Sequence, residues 1–134
     1  MRRIVVFITL LISLFSSCNF LLGVQNLGDG YYFDTDQILY TEKDTYNGIG
    51  KAVIPSIVLE TKNNENYIVI RAENYKKEMQ YWIINKNTKK EQIRLHESDS
   101  SLNSYYIYSN VIGPLSLKEF KGKKLHLKIE LDFE

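Results

Sequence analysis

The sequence predicts an α+β fold: a single domain, mainly antiparallel β-sheet, with one short C-terminal helix. Three observations predict it. Short runs rich in Tyr, Ile and Val recur from Tyr31 onward, separated by Asn, Asp and Gly clusters that suit tight turns. Two of those runs, "YIVI" (67–70) and "YWII" (81–84), are apolar at every position, as central strands covered on both faces are. Ser116 and Glu119 form a Ser-x-x-Glu capping box, the clearest helix start in the chain.

The first element is an export segment. Arg2 and Arg3 are the only charges before Asp29, and "IVVFITLLISLF" (4–15) follows them. A positive start and an apolar stretch of about 7–15 residues make a secretory signal, whereas a spanning helix needs about 18 or more. Cys18 is the sole cysteine of the 134 residues and lies directly behind this stretch. A lone cysteine in an exported chain calls for a use, and no disulfide can form within the chain. Phe15-Ser16-Ser17-Cys18 resembles the lipobox of bacterial lipoproteins, with Phe15 in place of the commoner leucine. The resemblance implies that residues 1–17 are removed and that Cys18 becomes a lipidated N-terminus. Acyl chains on Cys18 then supply the membrane contact, each buried methylene adding about 0.8 kcal/mol and two chains holding stably where one does not. Asn19 is not the Asp that retains lipoproteins at the inner membrane of enteric bacteria. In a cell with two membranes, the periplasmic face of the outer one is therefore expected.

Residues 18–30 are expected to be the lipidated cysteine and a tether, and residues 31–134 the globular domain. "GYYFDTDQILY" (30–40) reads as strand, turn and strand. "IPSIVLE" (54–60), "TKNNEN" (61–66) and "YIVIRA" (67–72) give the strongest hairpin signal. "QYWIIN" (80–85), "KNTKK" (86–90) and "EQIRL" (91–95) repeat it, and "SYYIYSNV" (104–111) is a further strand. The helix occupies "GPLSLKEFKG" (113–122), with Gly122 as its stop. "LHLKIELDF" (125–133) alternates apolar and polar throughout, which predicts a last strand with Leu125, Leu127, Ile129, Leu131 and Phe133 on one face.

Without residues 1–17 the chain keeps fifteen Lys and Arg against sixteen Asp and Glu. That balance lacks the basic excess of nucleic-acid binders, and no nucleic-acid partner is expected. The usual catalytic constellations are missing: there is no G-x-S-x-G, and the cysteine is consumed by the anchor. His96 and His126 read as surface histidines, without the spacing of a metal site; no metal or cofactor is expected. "GIGK" (48–51) fails as a phosphate loop because Thr45 and Ala52 stand where Gly and Ser or Thr are needed. Asp34 and Asp36 in "DTD" suit a ligand turn for a cation or a sugar hydroxyl, although Asp at both ends of a tight turn is also sufficient for the turn itself.

Ten tyrosines stand out, with Tyr31, Tyr32, Tyr81, Tyr105, Tyr106 and Tyr108 on predicted strands. Strand propensity accounts for such enrichment; so does a tyrosine-bearing face that contacts a partner. On the second reading Tyr106 and Tyr108, two apart and so on one face, are the expected contacts, with Tyr105 and Ile107 facing the core.

"LGDGYYF", "IPSIVLE", "NYIVIRAE", "YWIINKNTKK" and "GPLSLKEF" follow in that order over residues 27–121. Together they resemble a small bacterial lipoprotein family with a β-rich domain of unknown function. The resemblance implies a fold and no chemistry. The expected role is a binding or interaction module of the cell envelope, with an envelope protein as its partner and no enzymatic activity. The alternative is an envelope hydrolase working with carboxylates alone, Asp34 or Asp36 together with Glu60 or Glu73.

Overall fold

In the computed structural model, residues 23–42, 48, 50–88, 91–96 and 105–133 are described, residues 92–96 and 105–107 by their backbone. Among the described residues ten strands and one helix follow in chain order. They are β1 (Val24–Gly28), β2 (Tyr31–Asp34), β3 (Gln37–Tyr40), β4 (Lys51–Ala52) and β5 (Ile57–Asn63), then β6 (Tyr67–Glu73) and β7 (Met79–Asn85). After them come β8 (Gln92–His96), β9 (Tyr105–Tyr108), β10 (Val111–Leu115) and α1 (Leu117–Leu127). Every strand pairing is antiparallel. The first sheet runs β1-β2-β3-β4, the second β10-β7-β6-β5, and β8 with β9 make a two-stranded ribbon. The expected α+β class, mainly antiparallel with one C-terminal helix, is what the chain forms.

The second sheet is covered on both faces because its central strands carry apolar residues at both parities. Ile68, Ile70, Ala72, Trp82 and Ile84 point one way and join Leu27, Tyr31, Ile38, Val53 and Ile54 of the first-sheet half in one core. Val69 and Ile83 point the other way and meet Phe120 of α1 and Ile129 beyond it. The layers are therefore sheet, sheet and helix.

Three sequence expectations are corrected. Residues 24–28, read as tether, are β1: Val24 pairs with Asp34, and Leu27 is fully buried. Burial of one leucine against "YYF" outweighs the glycines that flank it. The run "QYWIIN"–"EQIRL" is not a hairpin; β7 pairs with β6 and β10, and β8 pairs with β9. Residues 125–133 are not a strand. α1 continues through Gly122 to Leu127 and ends at Lys128, whose left-handed φ of 56° lets its N–H and that of Ile129 bond back to Leu125 and Lys124. Ile129, Leu131 and Phe133 do pack inward from the extended segment that follows, whereas Leu125 is 83% exposed on the helix.

The helix start is as expected. The Ser116 hydroxyl accepts from the Glu119 N–H at 3.2 Å, and the Glu119 carboxylate accepts from the Ser116 N–H at 2.8 Å. Gly122 sits mid-helix, and a Cβ there would meet nothing within 4 Å. Gly122→Ala is expected to stabilise the fold by about 0.5–1 kcal/mol, through a less flexible unfolded chain and a better helix. Denaturant unfolding followed by circular dichroism measures it.

Candidate functional site

α1 crosses the second sheet at a distance that leaves a cleft of about 220 Å³ between them, lined by Arg71, Tyr81, Leu117, Phe120, Lys121, Lys124, Asp132 and Phe133. Strand periodicity puts Arg71 and Tyr81 here, since they are register partners on the face that α1 covers. Phe120 and Lys124, four apart, share one helix face. The ring of Phe120 stacks on Tyr81 at 4.9 Å and on Phe133 at 5.8 Å, so the wall is one aromatic stack.

Lys124 is 8% exposed. Its ammonium donates to the Leu131 carbonyl at 2.7 Å and to the Asp132 carboxylate, and lies 5.2 Å from the centre of the Phe120 ring. That arrangement satisfies a buried charge and ties the C-terminal segment to the helix. Arg71 pairs with Glu60 across the sheet at 3.0 Å. Lys121 is solvent-exposed at the rim. The cleft thus presents the Lys121 ammonium and aromatic ring surface, with Arg71 and Lys124 already paired to Glu60 and Asp132. Its volume lies below the roughly 300–1,000 Å³ of sites for drug-sized ligands, so it suits one head group or one side chain.

The sequence-predicted candidates are placed elsewhere. Asp34 ends β2 and Asp36 is the second residue of the two-residue turn to β3, whose first residue, Thr35, takes a φ of 59° and donates its hydroxyl to the Asp34 carboxylate at 3.1 Å. The Asp36 carbonyl accepts from the Val58 N–H at 2.8 Å, so this turn joins the two sheets. Glu60, the carboxylate suggested beside them, is held by Arg71. Among the described residues no group of three or more His, Cys, Asp and Glu is placed to hold a metal ion.

Tyr108 corrects the expected contact face. It is 5% exposed, belongs to the core between the sheets, and stands edge-on to Tyr40 at 5.6 Å. Tyr40 in turn lies 5.1 Å from Tyr31, whose hydroxyl accepts from Asn110 at 2.8 Å. Burial pushes the Tyr31 hydroxyl up to about 12, against the opposing hydrogen bond from Asn110. Tyr31 and Tyr108 are core residues with Tyr40 packed against them, and the polar end of Tyr31 is satisfied by Asn110. Tyr106 is placed by its backbone alone, opposite Leu95, and Cys18 lies outside the described residues.

The cleft residues were missed because "LHLKIELDF" reads as a strand. One signal was available: carrying the helix past Gly122 puts Phe120 and Lys124 one turn apart on the same face.

A family described as "Protein of unknown function (DUF3997)" matches residues 30–134. No curated protein and no solved structure matches the chain.

Proposed function

The chain belongs to that family, and from that premise we propose that it is a lipid-anchored binding module of a bacterial cell envelope, held through acyl chains on Cys18 and engaging an envelope protein. The observation that carries the binding role is the cleft beneath α1, where Arg71, Lys121 and Lys124 stand around stacked rings. Binding sites combine apolar walls with a few placed charges in this way. The anchor is supported by the Phe15-Ser16-Ser17-Cys18 pattern behind an apolar segment of signal length. On this reading the protein sits at the periplasmic face of the outer membrane where two membranes exist.

The two halves of the proposal are tested separately. Cys18→Ala is expected to abolish incorporation of a labelled fatty acid and to leave the uncleaved precursor; undiminished label refutes the anchor. For binding, the lipidated protein is cross-linked and recovered from solubilised membranes. A stoichiometric partner lost on Lys121→Glu supports the cleft, because a charge reversal at an exposed helix position leaves the fold intact. A partner that survives Lys121→Glu places the contact elsewhere.

A further inference from the structure

Strand directions bring several separate features to one end of the molecule. β1 begins there at Val24, opposite Asp34, and the turn of Asp34–Gln37 closes β2 onto β3. The Asp36 carbonyl holds the N–H of Val58, so β5 also begins at this end. Ile57 is register partner to Glu73, and Glu73 to Met79, which places the end of β6, the 74–78 turn and the start of β7 beside it.

The exposed large apolar residues gather at the same end. Of the seven among the described residues, five are here: Val24 at 39%, Ile57 at 51%, Leu59 at 44%, Tyr75 at 73% and Met79 at 45% exposed. Lys76 stands beside them, its ammonium 5.6 Å from the Tyr75 ring centre. The opposite end, at the 64–66 turn, presents Asn64, Glu65 and Asn66 instead. Scattered single apolar residues are normal on a surface, whereas a group of them marks a contact.

Chain length says what that contact is. Five residues separate Cys18 from Val24, and the six steps from one to the other span at most about 22 Å fully extended. If Cys18 carries the acyl chains, as the proposed function holds, the apolar end cannot stand far from the bilayer, while the opposite end lies a further strand length away.

We propose that this end, formed by Val24, Ile57, Leu59, Tyr75 and Met79, rests in the head-group region of the membrane to which Cys18 is tethered. It fixes the domain upright, with the 64–66 end pointing away from the lipid. Tyr with neighbouring Lys suits that region, since both combine an apolar body with a polar tip. The tether already confines the domain to the surface, so a weak contact suffices to orient it. The charges on the turns and strand ends just named are Asp34, Asp36, Glu73 and Glu78 against Lys76 and Lys77, without a basic excess, so the contact is apolar and does not need anionic lipid.

The test uses the whole lipidated protein in phosphatidylcholine vesicles. Because the Cys18 sulfur is consumed as a thioether, one introduced cysteine is the only thiol available for a nitroxide label. Lys76→Cys reports the proposed contact and Glu65→Cys the far end, about 23 Å away along β6 at the usual strand rise. The label at residue 76 is expected to be at least threefold less accessible to a water-soluble nickel relaxant than the label at residue 65. Replacing Ile57 and Tyr75 by Ser should remove that protection without changing the melting temperature, as both side chains are exposed. Equal accessibility at the two sites in protein that floats with the vesicles overturns the orientation and leaves the anchor standing. Failure to float overturns the anchor, and the orientation with it.

Discussion

Gly113→Ala is expected to cost the fold roughly 2–6 kcal/mol, the sum of about 1–3 for overpacking and about 1–3 for a strained backbone. β10 pairs with β7 through Ile112–Ile83 and Leu115–Tyr81, so Gly113 and Pro114 together oppose Trp82 as a bulge. The extra residue presses the backbone onto the indole. A Cβ on Gly113 would come within 2.4 Å of Trp82 Cε3, and the residue holds a φ of 150°. The ring cannot retreat, because Trp82 is 5% exposed within the core between the sheets. Domains of this size have about 5–15 kcal/mol in total, so the variant is expected to be largely destabilised at physiological temperature. Trp82 is the only tryptophan, and its fluorescence during urea unfolding reports the loss directly. Adding Trp82→Leu should recover part of it by freeing space, a recovery read by circular dichroism because that variant has no tryptophan. A midpoint unchanged by Gly113→Ala would show that the chain can rearrange at the bulge.

Which parts of this were legible in the sequence follows from the range of the interactions involved. The β2–β3 hairpin was legible because Asp-Thr-Asp encodes its turn locally, and the β5–β6 hairpin because the Asn-rich 64–66 turn does the same. The helix start was legible because Ser116 and Glu119 satisfy each other's backbone within one turn. The helix end was not: it depends on Lys124 reaching Leu131 and Asp132, and on Ile129 and Phe133 finding the face of the second sheet. Those contacts override an alternating pattern that, taken alone, specifies a strand. The same limit hid the cleft, whose walls come from β6, β7, α1 and the C-terminal segment. It also hid the role of Tyr108, because parity along a strand says which residues share a face but not which face is covered.

Lys86→Met carries the other large expected effect, a loss of about 2 kcal/mol, or roughly 10 °C in melting temperature for a domain near 100 residues. Lys86 is 8% exposed, in the turn that leaves β7. Its ammonium donates to the carbonyl of Leu27 in β1 and, at 2.6 Å, to the carbonyl of Asn64 in the turn between β5 and β6. One side chain therefore pins the first sheet to the second at the end away from the proposed membrane contact. The chain makes room for it at Gly28, where a Cβ would lie 3.0 Å from the Lys86 nitrogen. Burying the charge is costly, so the net value is well below the gross strength of its hydrogen bonds. The larger consequence of removal is that two carbonyls, one buried and one part-buried, lose their donor. Leu27 keeps a bond from the Asn63 amide at 3.2 Å, which confines the damage mainly to Asn64 and explains why about 2 rather than 4 kcal/mol is expected. Methionine matches the length of the lysine stem, so the change tests the ammonium and not the packing. Lys76→Met, on the exposed turn at the opposite end, serves as the control and should leave the midpoint within about 0.5 kcal/mol of the parent. Calorimetry on both variants settles the matter: equal melting temperatures would mean that Lys86 does not join the sheets, and that Asn63 and the core between them suffice.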